Sequence, residues 1–212
     1  MDLEPDGFFI TFEGIEGCGK STQAKMLYEY LVEAGYEVVA TREPGATAVG
    51  RAAREILLSA RFSEMDSRSE LLLFAASRAQ HVAEIVRPAL AVGKIVVCDR
   101  YVDSTIAYQA YGRGLPLPET RCISDWAGGG LMPALTFLLD MPAEEALERL
   151  DKGAMDRIEQ AEIGFHRRVR EGFLALASFY PERIRRLDAA QPAKVIHQQI
   201  ITAVTSSYDA II

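Results

Sequence analysis

Residues 8–22 read Phe8-Phe9-Ile10-Thr11-Phe12-Glu13-Gly14-Ile15-Glu16-Gly17-Cys18-Gly19-Lys20-Ser21-Thr22, and the reading of this stretch decides the fold. Its first half, aromatic and β-branched, has the composition of a buried strand. Its second half matches Gly-x-x-x-x-Gly-Lys-Ser from Gly14 to Ser21. Apolar residues then recur at Ala24, Leu27, Leu31 and Ala34. That three-and-four spacing is a helix with one buried face. Strand, glycine loop, lysine and helix, in that order, are the context a phosphate-binding loop requires. Glycines let backbone N–H groups close around phosphate oxygens, and the helix N-terminus adds its positive end. Lys20 is placed to reach terminal phosphates, and the Ser21 hydroxyl to ligate Mg²⁺.

Outward from this loop the chain alternates strands with helices. Residues 37–41 read as a second strand, and Arg42-Glu43-Pro44-Gly45 ends it. In open α/β sheets that end is the ligand edge. A helix is predicted over 49–60. Ser67-Arg68-Ser69-Glu70 has the pattern of a capping box opening a long helix, which Pro88 kinks or interrupts. On that helix Phe74 and Arg78 lie four apart and share a face. Residues 94–99 form a buried strand whose end brings Asp99-Arg100-Tyr101 to the ligand edge, followed by Ser104, Thr105, Tyr108 and Gln109, a dense run of hydrogen-bonding side chains. Residues 112–118 read as loop and 119–126 as a short helix. A strand over 135–140, a helix after Pro142, a charged break at 151–157, an amphipathic helix from Ile163 to Tyr180, a short strand at 186–188 and a helix over 193–208 complete the pattern. Alternation of this kind predicts a three-layer α/β/α fold of the P-loop NTPase type, with about five parallel strands.

With 212 residues, 49% hydrophobic and 25% charged, the chain reads as one domain over 1–212, without internal repeat or linker. A net charge of −7 without a basic block argues against nucleic acid as partner. No apolar run approaches the ~20 residues a membrane span needs. Asp2, Glu4 and Asp6 are the opposite of a secretory leader, and Cys18, Cys98 and Cys122 are a sparse, odd set. Both features point to free thiols in a reducing cytoplasm. His81, His166 and His197 have no metal-ligand spacing and read as surface or interface residues. Cys18 reads as a small filler of the loop; were its thiol accessible, an adduct there would obstruct the donor phosphates.

Taken together, the loop beginning Phe12-Glu13-Gly14, the segment Thr41-Arg42-Glu43-Pro44-Gly45, Phe74 with Arg78, Asp99-Arg100-Tyr101 and Asp156-Arg157-Ile158-Glu159 resemble the bacterial thymidylate kinases over nearly the whole chain. Two positions depart from the family pattern: Ala46 stands where a second glycine is usual, and Ala134 where an aspartate is usual. The resemblance implies Mg²⁺-dependent transfer of the γ-phosphoryl of ATP to dTMP, giving dTDP and ADP, by a homodimer. It assigns the ATP phosphates to Gly14, Ile15, Glu16, Gly17, Cys18, Gly19, Lys20, Ser21 and Thr22, and Mg²⁺ to Ser21 and Asp99 with Glu16 as an alternative acid. It assigns dTMP to Glu43, Phe74, Arg78, Asp99, Arg100, Ser104, Thr105, Tyr108 and Gln109, with Phe74 stacked on thymine and Arg78 donating to its O4. Lys20, Arg100, Arg157 and Glu16 are the expected catalytic set, Arg157 acting from a lid at about 151–158. The acceptor phosphate, with a second pKa near ~6, is already anionic, so no general base is required. A kinase for another small acceptor, or a slow ATP-hydrolysing switch, remains open on the sequence alone.

Overall fold

In a computed structural model, residues 7–150 and 155–208 are described. The strand read before the phosphate loop, β1 (Phe8–Glu13), is buried at all six positions because it runs through the middle of a parallel sheet. The order is β2 (Val38–Arg42), β3 (Ile95–Asp99), β1, β4 (Leu135–Asp140), β5 (Ile184–Asp188). Alternate side chains of β1 serve opposite layers, as a strand's period of two requires. Phe8, Ile10 and Phe12 enter a core with Leu27, Phe137, Val169, Phe173 and Ile200, while Phe9 joins Val82, Val86, Leu90 and Tyr101 on the other side. Thr11 remains, and its hydroxyl meets that of Thr136 at 2.7 Å, so the buried pair is satisfied.

Register fixes the site. Phe12 lies beside Asp99 and Phe137, and Arg42 beside Asp99, so the C-terminal ends of β1, β2, β3 and β4 finish at one edge. The helices are α1 (Lys20–Glu33), α2 (Ala48–Leu58), α3 (Ser67–His81), α4 (Arg87–Leu90), α5 (Val102–Thr105), α6 (Leu117–Gly128), α7 (Ala143–Glu148), α8 (Ile163–Phe179) and α9 (Ala193–Tyr208). The break expected at Pro88 is spread backward: α3 passes into α4 through a widened helical turn, Val82–Val86. Wide turns over Ile106–Gly112 also continue α5, so the segment bearing Thr105, Tyr108 and Gln109 is helical. The capping box expected at Ser67–Glu70 is a correction. The cap is Asp66, which accepts from Arg68 N at 3.0 Å, and Glu70 points into the protein instead. Of the expected lid, residues 151–154, Lys152 and Gly153 among them, lie outside the described residues.

Candidate active site

The phosphate loop spans the end of β1 and the start of α1. Gly14 and Gly17 have φ of 137° and 75°. A side chain on Gly14 would meet Leu139 O at 2.5 Å, and one on Gly17 would meet Ala146 O at 2.0 Å, so β4 and α7 press on the loop where only glycine fits. Lys20 Nζ donates to Ile15 O at 2.6 Å, which curls the lysine over the loop. Ile15 and Cys18 are buried beneath it, Cys18 at 2% exposure, in keeping with a small filler of the loop. Ser21 and Thr22 stand exposed on the first turn of α1. The Ser21 hydroxyl donates to Asp99 Oδ2 at 2.5 Å, and Asp99 Oδ1 is buried without a partner among the described residues. Those oxygens, from α1 and the end of β3, suit a hard cation such as Mg²⁺. No cluster of three or more His, Cys, Asp or Glu able to hold a metal occurs among the described residues, so nucleotide oxygens and water would complete its shell.

Arg100 follows β3 at φ 70°, a conformation a residue with Cβ adopts only when its surroundings impose it. Its guanidinium donates to Gly14 O (2.9 Å), Ser104 Oγ (3.1 Å) and Glu16 Oε1 (2.8 Å) and lies 5.0 Å over the Tyr108 ring. Tyr108 also donates to Glu16 Oε1, at 2.5 Å. Burial opposes ionisation of Glu16, but Arg100, His166 and Lys20 hold its carboxyl well below the usual range. His166 lies 3.6 Å from the other Glu16 oxygen and is fully buried. Its expected surface position is thereby corrected. Behind Arg100, Glu13 accepts from Tyr101 N (2.8 Å), Ser104 N (3.3 Å) and Ser104 Oγ (2.6 Å) and so ties down the start of α5. Burial, reinforced by Asp103, pushes its pKa up to about 8.

These groups open on a cavity of about 260 Å³ lined also by Phe74, Arg78, Thr105, Gln109 and Glu43. Phe74 is half-buried on α3, and Arg78, one turn on, is 2% exposed. The Arg78 guanidinium is locked by four acceptors: Glu43 Oε2 (2.8 Å), Thr105 Oγ1 (2.8 Å), Ser124 Oγ (3.0 Å) and Tyr101 O (3.0 Å). With five N–H groups in all, a hydrogen on Nη2 remains for an acceptor atom presented from the cavity. Glu43 spends its other oxygen on His81 Nδ1 at 2.9 Å, while His81 Nε2 meets Thr41 Oγ1 at 2.7 Å. His81 is therefore a buried partner of Glu43 and not a surface residue, and Glu43 both lines the cavity and holds Arg78. Arg42 and Arg54 add cations to the same cavity. Burial, with Arg42 and Arg100 nearby, lowers the pKa of Arg54, while Asp156 and Asp99 act against the shift.

Arg157 is placed differently from expectation. Its guanidinium donates to Glu70 Oε2 (2.5 Å) and Leu57 O (2.8 Å), its side chain is 8% exposed, and it does not line the cavity, whereas Asp156, Ile158 and Glu159 do. The structure thus brings together Lys20, Arg100, Glu16, Ser21, Asp99, Glu43, Phe74, Arg78, Ser104, Thr105, Tyr108 and Gln109, and leaves Arg157 outside. Sequence reasoning missed Arg54, Glu70, His81 and Arg113. The partners of Glu70, His81 and Arg113 lie 38 to 87 residues away in the chain, where no local pattern marks the contact.

The chain matches the family model described as thymidylate kinase over residues 12–200. It is 50% identical over 196 residues to a thymidylate kinase of an Exiguobacterium species, covering 92% of each chain. It is 49% identical over 205 residues to that of Geotalea uraniireducens, covering 93% of this chain and 96% of the other. Among solved structures it superposes on thymidylate kinase from Ehrlichia chaffeensis with a TM-score of 0.77 at 37% identity, covering 94% of this chain and 99% of that one.

Proposed function

The chain belongs to the thymidylate kinase family, and on that premise we propose that it transfers the γ-phosphoryl of ATP to the 5′-phosphate of dTMP, giving dTDP and ADP. The observation that carries this reading is the single cavity in which Lys20 and Ser21 of the phosphate loop meet Arg100, Phe74 and Arg78. Donor phosphates lie along 14–22, where the loop N–H groups and Lys20 neutralise them. Ser21 and Asp99 would hold Mg²⁺, which would supply positive charge toward the phosphates. Arg100 holds the acceptor phosphate, and Arg42 and Arg54 add positive charge beside it. Glu16 keeps Arg100 and Tyr108 in place. Phe74 stacks on the base and the free Nη2 hydrogen of Arg78 meets O4. No described side chain has to remove a proton, because the acceptor is already an anion; the protein's task is positioning and electrostatics.

The enzyme works as a homodimer in the cytoplasm in this reading. The free thiols of Cys18, Cys98 and Cys122 support a reducing compartment, and no described helix is long and apolar enough to cross a membrane. A coupled assay of ADP release, run with dTMP, dUMP, dCMP, thymidine and no acceptor, tests the reading. Release that depends on dTMP and exceeds that with dCMP is expected. In Arg78→Ala, kcat/KM for dTMP falls by more than about tenfold and the gap to dCMP narrows, because a site built on a hydrogen bond discriminates through it. ADP release indifferent to any acceptor would defeat the assignment.

A further inference from the structure

Asp156-Arg157-Ile158-Glu159 is a self-capped turn. Asp156 Oδ1 accepts from Ile158 N (2.8 Å) and Glu159 N (3.0 Å), and Glu159 Oε2 accepts in return from Asp156 N (2.9 Å). This reciprocal bonding fixes the turn internally. It leaves Asp156, Ile158 and Glu159 on the cavity and sends Arg157 the other way. Arg157 then ties the turn down at three points: its N–H to Leu58 O (3.0 Å), its Nε to Leu57 O (2.8 Å) and its Nη2 to Glu70 Oε2 (2.5 Å).

Glu70 is the receiving half. It sits one turn before Phe74 and two before Arg78 on α3, so the three share one face. Its carboxylate is 1% exposed, a costly position for a charge unless it is fully paired. It accepts from Gln109 Nε2 (2.9 Å), from Arg113 Nε and Nη2 (3.1 and 3.0 Å) and from Arg157. Arg113 alone balances its charge, so Arg157 is not needed for neutrality there. What Arg157 adds is a link between α3, the α5 extension that carries Gln109, and the turn at 156–159.

We propose that Glu70 and Arg157 form a clasp holding this turn as one wall of the acceptor cavity. Both are positioning residues for the acceptor, not groups that face the transferring phosphoryl. The proposal rests on the reading that the cavity takes dTMP. It makes the opposite kinetic demand from a phosphoryl-facing arginine. Such an arginine is worth about 10³–10⁵ in kcat. A clasp acts on acceptor binding, so its loss appears in KM for dTMP, with kcat and KM for ATP nearly unchanged.

The variant of choice is Arg157→Met, which keeps the length of the side chain and leaves Glu70 neutralised by Arg113, so the buried cluster stays balanced. Steady-state kinetics of this variant, of Glu70→Gln and of the double variant are compared with wild type, alongside thermal melting. The clasp predicts that each single variant raises KM for dTMP by about tenfold or more, the loss of a charge-assisted bond, and that the double variant is little worse than either single one. A kcat loss of about a hundredfold at unchanged KM in Arg157→Met overturns the clasp and returns Arg157 to the phosphoryl. Wild-type kinetics in a folded Arg157→Met overturn it as well. Absence of transfer to dTMP by the wild type would overturn the acceptor assignment, and the clasp with it; a defect confined to the variants separates the two.

Discussion

At Glu13 a carboxylate is buried behind the site, and its protonation carries a measurable consequence. Burial and Asp103 push its pKa up to about 8, from 4.5 for a free side chain. Between those values the folded protein holds a proton that the unfolded chain releases. The stability this contributes is fully present below pH 4.5 and is lost as pH rises through about 8. Glu13→Gln carries a neutral, similar side chain at every pH. The expected outcome is that the melting temperature of the wild type, relative to Glu13→Gln, falls from pH 5 to pH 8.5; a constant difference across that range would show that Glu13 stays ionised. Membership of the cavity is legible in the sequence where a local rule marks it. Lys20 and Ser21 stand in a motif, and Phe74 and Arg78 share a helical face. Glu43, Glu70 and His81 take their meaning from contacts 35 to 87 residues away in the chain, which spacing cannot show. Glu70 was misread because its i+3 relation to Ser67 fits a cap, while burial among guanidiniums is a tertiary fact.

Among the elements, the five strands and the long helices are where hydrophobic period and turn residues place them, because parallel strands buried on both faces read as continuous apolar runs. The segment Val102–Gly112 was harder. It is buried on nearly every side, so it shows no amphipathic period, and its widened turns break the 3.6 repeat. It is held instead by close packing on α8. A Cβ at Gly172 would meet Tyr111 Cβ at 2.9 Å and Ala107 Cα at 3.0 Å, so the two backbones approach as nearly as a bare glycine permits. Gly172→Val therefore costs about 1–3 kcal/mol through overpacking, which outweighs the few tenths recovered in helix propensity. The expected melting temperature is lower by about 2–10 °C. Because Tyr108 and Gln109 ride on the displaced segment, KM for dTMP rises with it. Unchanged melting would show that α8 can shift away freely, and the rigidity claimed for this wall of the site would be lost.

At the scale of the whole molecule, one cavity gathers charges of both signs, and apolar side chains stand exposed on the helices beside it. The chain carries a net −7, and Lys20, Arg42, Arg54, Arg78 and Arg100 converge with Glu16, Glu43, Asp99, Asp156 and Glu159 on the cavity proposed to take two polyanions. Elsewhere several large apolar side chains stand exposed on helices. Val49 and Ile56 on α2, Leu72 on α3 and Trp126 on α6 are 50%, 39%, 56% and 83% exposed. Single exposed apolar residues are ordinary. Here four stand on helices packed side by side, α2 on α3 and α3 on α6, which makes these helices the candidate interface of the homodimer proposed above. The same helix, α6, turns Ser124 inward to Arg78 and leaves Trp126 outside, so a second copy covering Trp126 would brace Arg78 from behind. Trp126→Glu places a charge in such an interface at no cost to the isolated fold. Light scattering after size exclusion is expected to give twice the chain mass for the wild type and a shift toward a single chain for Trp126→Glu. If α6 braces Arg78 through the dimer, the dissociated variant also binds dTMP more weakly while its melting in dilute solution stays cooperative. A variant that remains a dimer would remove Trp126 from the interface, and a monomeric variant with wild-type KM for dTMP would separate the dimer from base recognition.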